Sequence, residues 1–339
     1  MNIKELTEGR DQIAYLRDEN RLLLRQIKQL RKRLGEQKEF YQQLSAAVRA
    51  CDPPPRIPWK SGRKSGKPVV AVLKLSDWQI GEVISAAETA GFGRFNWEIA
   101  QQRVAFILDA FLRWIETQRH GYRIDECTLL CEGDWISGDI HRELSVTNEF
   151  PVPVQAANAG KLLGDAIMRV SQHFTRVHVS SVGADNHGRL TARPQFKQKA
   201  TNNLSYIVET IAAAYVARLK NVKFERAQGI QALVEVNGKR FLSMHGDTVR
   251  GWMGIPYYGL ERLRGREASR RMQQAGFDYI SLGHFHVPSW TSGNLLINGS
   301  LTGTTEFDHA VGRHAAPSQV AFLVHPIHGV FNFTPFAAE

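Results

Sequence analysis

From residue 69 onward, short apolar runs alternate with longer segments of helical period. Val69–Leu75 (VVAVLKL) is a nearly continuous apolar run, the mark of a strand buried on both faces. In Trp97–Gln118, Ile99, Val104, Ile107, Phe111 and Ile115 recur at spacings that place them on one helix face. The same alternation predicts strands at Cys127–Cys131 and Arg176–Val182, with helices at Val154–Phe174 and Phe196–Leu219. Ala232–Val236 and Arg240–Met244 flank Asn237-Gly238, a dipeptide suited to a tight hairpin. A helix near Tyr258–Ala275 leads to a strand at Tyr279–Leu282. Strands at Leu295–Ile297, Val320–Val324 and Val330–Thr334 close the chain. Strand–helix alternation of this kind is the signature of an α/β fold.

Residues 1–50 follow another rule. Ile13, Asn20, Ile27, Leu34 and Tyr41 share one heptad position, and Leu16, Leu23, Leu30 and Leu44 share the position three residues later, with Gln37 interrupting. This is the a/d seam of a coiled coil. Ile at a with Leu at d favours two parallel strands, and Asn20 would pair with its copy to fix register. The charges at e and g are poorly complementary, since Arg33 would face Lys38. A homodimer through this helix is therefore expected; a single amphipathic helix packed on its own domain is the plainer alternative. Residues 51–68 (CDPPPRIPWKSGRKSGKP) hold five prolines and five basic residues and predict a basic linker. The expected organisation is a coiled-coil helix over 1–50, a linker over 51–68 and a catalytic domain over 69–339.

Charge sharpens this division. The chain of 339 residues carries a formal net charge of +10. Residues 1–50 hold 11 basic and 7 acidic residues, and residues 51–68 hold 5 and 1. The remainder is close to neutral, so the excess describes a basic arm on a nearly neutral domain. Such an arm suits an anionic partner, nucleic acid above all. Ordinary globular composition excludes a wholly disordered or collagen-like chain. No apolar run is long enough for a membrane span, and the amino terminus lacks a signal-peptide core. Three cysteines are too few for a disulfide framework, which predicts reduced thiols and a cytoplasmic location.

Candidate chemistry lies at the strand ends. Five predicted strands each end in groups able to bind metal: Asp77 with Gln79, Asp134, Asn186 with His187, His245, and His284 with His286. In α/β sheets, sites form at the carboxyl ends of strands. Carboxylate and amide oxygens mixed with imidazoles suit Mn²⁺, Mg²⁺, Fe or Zn²⁺. Two such ions sharing a carboxylate can clamp an in-line displacement at phosphorus.

In order, the motifs DWQ at 77–79, GD at 133–134, NH at 186–187, HG at 245–246 and GHFH at 283–286 resemble the calcineurin-like metallophosphoesterases. SDWQIGE, GDWISGDIH and NHGR are most similar to members encoded by tailed bacteriophages and prophages, which would place the protein in a bacterial host cytoplasm. The resemblance covers roughly residues 69–310 and implies a two-sheet α/β sandwich flanked by helices. It implies one divalent ion held by Asp77, Gln79, Asp134 and His286, and a second held by Asp134, Asn186, His245 and His284, with Asp134 bridging. His187 would assist the leaving oxygen, and metal-bound hydroxide would be the nucleophile. Mn²⁺ is the leading candidate for both ions.

Three positions depart from the family pattern. Gln79 stands where a His is usual. Its amide oxygen is a weaker ligand, which leaves the first ion labile or favours Mn²⁺ and Mg²⁺ over Zn²⁺. Gly188 replaces an acid that usually orients the catalytic His, leaving Asp185 or Asp77 for that task. Asp185 itself replaces a Gly. Around the motifs, Asp139, His141 and Arg189 are candidate substrate-binding residues, the last through bidentate phosphate contact. Asp247 is either an orienting group for His245 or a turn residue, and Asn298-Gly299-Ser300 is expected beneath the site. Residues 248–272 interleave six Arg with Trp252, Tyr257 and Tyr258. That pattern fits either a surface for single-stranded nucleic acid or an amphipathic helix. The function expected is a dinuclear-metal phosphodiesterase, a DNA nuclease. The alternatives are a phosphomonoesterase acting on proteins or nucleotides, and a non-catalytic DNA-binding or virion scaffold that keeps the fold.

Overall fold

Alternation of side chains along each strand decides the layers. In the computed structural model, which describes residues 17, 19–32, 34–35, 38, 68–140, 142–191, 193–249, 257–271 and 276–338, the chain forms two compact units, Met1–Ser61 and Gly62–Glu339. In the first unit the described residues are helical, and Leu23, Ile27, Leu30 and Leu34 of the heptad seam are exposed. Asn20 is likewise helical and exposed, while Ile13, Leu16, Tyr41, Leu44 and linker residues 51–67 lie outside the described residues.

The second unit begins with β1 (Val70–Leu75), α1 (Trp97–Arg119), β2 (Glu126–Cys131), α2 (Arg142–Thr147), α3 (Val152–Ser171), β3 (Arg176–Ser181), α4 (Ser205–Val216) and β4 (Val222–Arg226). Then follow β5 (Ala232–Val236), β6 (Lys239–Met244), α5 (Tyr257–Arg271), β7 (Tyr279–Leu282), β8 (Ser289–Thr291), β9 (Leu295–Ile297), α6 (Glu306–Ala310), β10 (Ser318–His325) and β11 (Gly329–Ala337). One sheet has the order β11-β10-β1-β2-β3-β4 and the other β5-β6-β7-β9-β8. Strands β1 to β4 run parallel through helical crossovers, while β10 and β11 pair antiparallel at one edge. In the second sheet β6, β7 and β9 are parallel.

Ala71, Leu73 and Leu75 of β1, with Cys127, Leu129 and Cys131 of β2, face α1, α3 and α4 in the larger core. The intervening Val72 and Leu130, with Phe322 of β10, face the second sheet, where they meet Phe241 and Leu296. The far side of the second sheet is covered by Leu260 and Leu263 of α5. The result is the expected two-sheet α/β sandwich with helices on both outer faces. Cys127 and Cys131 are buried free thiols, and burial raises both well above the ordinary thiol range. Among the described residues no helix is long and apolar enough to cross a membrane.

Most elements lie within a few residues of their sequence-predicted positions. Asn237 and Gly238 both take positive φ, as the hairpin dipeptide requires. The helix expected at Phe196 instead begins at Ser205; residues 197–204 form turns. The reason is tertiary. Arg189 pairs with Asn203 across this segment, and Asn203 and Ser205 spend their side chains on the buried Asp185. Strands β4 and β8 and the short helices α2 and α6 are additional to the expected elements. Residues 250–256 and 272–275 of the Arg-rich segment lie outside the described residues.

A buried charge crosses the apolar layer between the sheets. Lys74 of β1 is fully buried, and its ammonium donates to the carbonyls of Leu282 and Leu296 in the second sheet at 2.9 and 2.7 Å. Its third contact is Glu132, at 3.1 Å and equally buried. Ser243 of β6 donates to the other oxygen of Glu132 at 2.9 Å. Burial lowers the Lys74 pKa, and Glu132 opposes the shift. Removing one partner of a buried pair strands the other charge, so Lys74→Met should lose about 3–5 kcal/mol in denaturant unfolding. The Lys74→Met/Glu132→Gln double variant should recover much of that. A loss under about 1 kcal/mol for the single variant would show that the pair does not hold the sheets.

Candidate metal centre

Both sheets direct parallel strands at one edge, and their carboxyl ends bring the predicted ligands together. Asp77 and Gln79 follow β1, Asp134 follows β2, and Asn186 and His187 follow β3. His245 follows β6, and His284 and His286 follow β7. Asp77 (φ 56°), Gln79 (46°), Asp134 (51°), His284 (69°) and His286 (61°) all take left-handed backbone conformations. Each costs an ordinary residue on the order of 1 kcal/mol or more, and such strain concentrates at functional sites.

The loops bearing these residues are fixed to one another. Beyond β1 and β2 the backbone pairing continues, with amides of Asp77, Gln79 and Ile80 donating to carbonyls of Gly133, Asp134 and Trp135 at 2.9–3.0 Å. Trp78 and Trp135 alternate with the ligands, point away into the core and meet edge to face, ring centroids 5.1 Å apart. The His284 amide donates to Asp77 at 2.9 Å and the His187 amide to Asp134 at 3.1 Å. Asn298 lies beneath the site as expected, donating to the Ser76 hydroxyl at 2.9 Å, and that hydroxyl donates to Asp77.

His245 defines the centre. Its Nδ1 donates to the Glu132 carbonyl at 2.7 Å, which turns Nε2 toward Asp134 Oδ2 at 3.0 Å and Asn186 Oδ1 at 2.9 Å. Two oxygens and an imidazole nitrogen thus converge, an arrangement that could hold a cation. Asp134, His245 and His284 offer ligand atoms that all lie within 4.8 Å of one another. Burial works against a charge on both Asp134 and His245. Their mutual attraction wins: Asp134 is held well below the carboxylate range by His245 and His187, and His245 is held well above the imidazole range. His284 moves the other way. Burial, then repulsion from His245, depresses it to about 3, leaving the neutral ring that ligates metals.

The other half of the cluster contains Asp77, Gln79 and His286. His286 Nε2 lies 3.6 Å from Asp77 Oδ1, and Gln79 Nε2 lies 3.5 Å from His286 Nε2 and 3.4 Å from His187 Nε2. Gln79 Oε1 is buried with no hydrogen-bond partner. A buried amide oxygen left unbonded costs about 1–3 kcal/mol. Rotating the amide by half a turn exchanges the two atoms and aims the oxygen at His286, where it joins Asp77 around a common point. The donor set of carboxylate, amide oxygen and imidazole therefore fits a divalent ion in each half.

His187 is oriented by neither Asp185 nor Asp77. Its Nδ1 donates to the Ser137 carbonyl at 2.7 Å, and Nε2 faces the cluster. The absence of an acid after the Asn-His pair has a steric cause: a Cβ on Gly188 would lie 2.1 Å from Asn203 Oδ1 and 3.0 Å from Asp185 Oδ1. Asp185 instead acts as a clasp. Fully buried, it accepts from the backbone amides of Asp134 (2.7 Å) and Gly188 (2.9 Å), the Ser205 hydroxyl (2.5 Å) and the Asn203 amide (3.1 Å). Asp247 does not orient His245; it pairs with Lys199 at 2.5 Å.

Of the expected substrate residues, Arg189 is half-buried, donates from Nε to the Thr191 carbonyl at 3.0 Å, and shares a cleft with Asp185, Lys197, Lys199 and Asp247. Asp139 is exposed on the loop after Gly138, and His141 lies outside the described residues. Glu82 was not anticipated: it is buried beside the cluster, and burial, opposed by His187, pushes its carboxyl up to about 7. Glu82 and Lys74 had a visible signal, a charged residue in or just after an apolar run. In α5, Tyr257 and Tyr258 are exposed while Leu260 and Leu263 pack inward, so the Arg-rich segment is amphipathic and still presents aromatics.

No protein-family profile matches the chain, and no curated protein matches it. Among solved structures, a single mutant of Vps29 from Entamoeba histolytica is 12% identical, covering 79% of this chain and 99% of its own, with a TM-score of 0.32. Vacuolar Protein Sorting 29 from Cryptosporidium parvum is 14% identical, covering 80% and 100%, with a TM-score of 0.33. GAP50, described as the anchor in the inner membrane complex of Plasmodium, is 9% identical, covering 80% and 90%, with a TM-score of 0.32. Likeness at these scores decides nothing about the chemistry of this chain.

All four bonds of Asp185 are accepted ones, so Asp185→Asn places an amide donor against existing donors. Loosening the Asp134 loop in this way should weaken divalent metal binding about 10–100-fold in titration calorimetry. Unchanged affinity would show that the clasp does not position Asp134.

Proposed function

We propose that the chain is a metal-dependent phosphoesterase that hydrolyses phosphodiesters, with DNA as its substrate. The observation that carries the reading is the convergence on one sheet edge of a full donor set, with the Gln79 amide buried beside His286. Asp77, Gln79, Asp134 and His286 would hold one divalent ion. Asp134, Asn186, His245 and His284 would hold the other, Asp134 being common to both. Two bound ions supply activation of the attacking water and neutralisation of the phosphate oxygens. The amide of Gln79 among hard oxygen donors favours Mn²⁺ or Mg²⁺.

The chain's own residues do the rest. The Ser137 carbonyl holds the proton of His187 on Nδ1, so a proton for the leaving oxygen is carried on Nε2, the nitrogen that faces the cluster. The Glu132 carbonyl fixes the tautomer of His245 in the same way. Arg189 and Lys197 line a cleft with Asp185 and could meet neighbouring phosphates there. DNA is favoured over a monoester substrate by the basic arm, since counterion release rewards many phosphate contacts at once.

One assay set tests this. The purified chain with Mn²⁺, Mg²⁺ or Zn²⁺ should turn over bis-p-nitrophenyl phosphate and DNA faster than p-nitrophenyl phosphate. No turnover in any metal sinks the enzyme, and preference for the monoester sinks the diesterase. Asp134→Asn should abolish turnover. His187→Ala should lower kcat about 10²–10⁴-fold with metal content unchanged by elemental analysis; loss of metal would refute its role as a proton carrier.

We also propose that the heptad helix joins two copies in parallel. The intact chain should sediment as a dimer and the chain lacking residues 1–50 as a monomer, whereas a dimer surviving the deletion would overturn the pairing.

A further inference from the structure

Two loops leave the metal centre side by side and meet again at its rim. One runs from Asp77 to Asn96 after β1. The other runs from Asn298 to Pro317 after β9 and contains α6. Near the centre they are joined by the Leu301 amide, which donates to the Asp77 carbonyl at 2.9 Å. Farther out, the Ser85 amide donates to Glu306 at 2.8 Å, and Gly93 lies so close to Thr304 that a Cβ would sit 2.0 Å from its carbonyl oxygen. The buried guanidinium of Arg103 ties both loops from below, donating to the carbonyls of Arg94, Leu301 and Thr302 at 2.8–3.0 Å. A reciprocal capping box between Thr305 and Asp308 fixes the start of α6, and the Thr304 hydroxyl accepts from the Ala315 amide at 3.2 Å.

On this rigid base stands an aromatic surface turned to solvent. Phe92 is 63% exposed and Phe307 66% exposed. The Phe92 ring lies 4.7 Å from that of His314 and 5.9 Å from that of His309. The Arg313 guanidinium covers the Phe307 ring at 5.2 Å, and Arg94 is exposed next to the cluster. Phe92 with His309 and His314 makes a contiguous ring patch at the surface, and contiguity rather than exposure alone marks an interaction site. Rings with flanking Arg match the chemistry of unpaired nucleic acid: each base offers a π face and each phosphate a negative charge. The loops that carry these rings begin at the metal centre, where the Leu301 amide meets the Asp77 carbonyl.

We propose that Phe92, His314 and Phe307 form a stacking platform for the unpaired bases of single-stranded nucleic acid, with Arg313 and Arg94 against its phosphates. The proposal rests on the phosphodiesterase reading and adds to it the strandedness of the substrate. An unpaired base can lie flat on these rings, whereas a duplex keeps its bases stacked on one another.

The test compares a labelled oligothymidylate with an abasic oligomer of the same phosphate count, using the full chain in EDTA so that no hydrolysis intervenes. The basic arm binds both alike, so the ratio of affinities isolates the bases. Wild-type protein should prefer the oligothymidylate by about tenfold. The Phe92→Ala/Phe307→Ala variant should lose that preference while binding the abasic oligomer as before, and Phe92→Trp should retain it. Both residues are exposed, and an unchanged melting temperature confirms folding of each variant. Equal wild-type affinity for the two oligomers, or a preference that survives the double variant, overturns the platform. Turnover of bis-p-nitrophenyl phosphate by the wild type is scored separately, so failure of the hydrolase and failure of the platform are distinguishable.

Discussion

The buried contact of Lys74 with Glu132 is the constraint on which the site depends. Apolar packing holds the two sheets together but is indifferent to small slides between them. Asp77, Gln79, Asp134 and Asn186 come from one sheet and His245, His284 and His286 from the other, so a slide of an ångström would separate the donors. The ammonium of Lys74 has three protons and three acceptors: Leu282, Leu296 and Glu132. Directional bonds of this kind fix register where hydrophobic burial cannot. Glu132 extends the chain of constraint, because its backbone carbonyl also sets the tautomer of His245.

Registration between the sheets lets the rest of the molecule hold strained loops. The left-handed φ values at five ligand positions would relax if the loops were free. They persist because the intervening residues are committed elsewhere. Trp78 and Trp135 are sealed in the core on either side of the ligands, and Asp185 takes up the amides of Asp134 and Gly188 together. Burial at these neighbouring positions offsets the strain, and the donors are aimed before any ion arrives.

Much of this was legible in the sequence, and the failures have physical causes. Continuous apolar runs and period-3.6 patterns located the buried strands and long helices, because the strands are buried on both faces and the helices on one. The ligands were legible because each follows a strand. The orienting partner of His187 was not, since a backbone carbonyl at Ser137 carries no residue signature. Asp185 and Gly188 looked like separate departures from a motif, yet they are one feature: the acid gathers Asn203 and Ser205 into the space that a side chain at 188 would need. Residues 197–204 read as helix by composition, but the demand of Asp185 for donors outweighs local propensity there.

Gln79 shows how such a frame changes the meaning of a single residue. An amide is a poorer ligand than imidazole when both are free to move. Here the Gln79 backbone amide is bonded to the Asp134 carbonyl, its side chain is buried, and its oxygen has no protein partner. Little conformational entropy remains to be lost when that oxygen meets an ion, and an unsatisfied acceptor is relieved in the process. Rigidity therefore compensates for donor strength, and it does so selectively. A hard, oxygen-seeking ion gains the most from a preorganised amide, whereas a softer ion that prefers nitrogen gains less. In the metal site proposed here, an amide on a mobile loop would be a weak donor, whereas on this scaffold it would favour a hard ion.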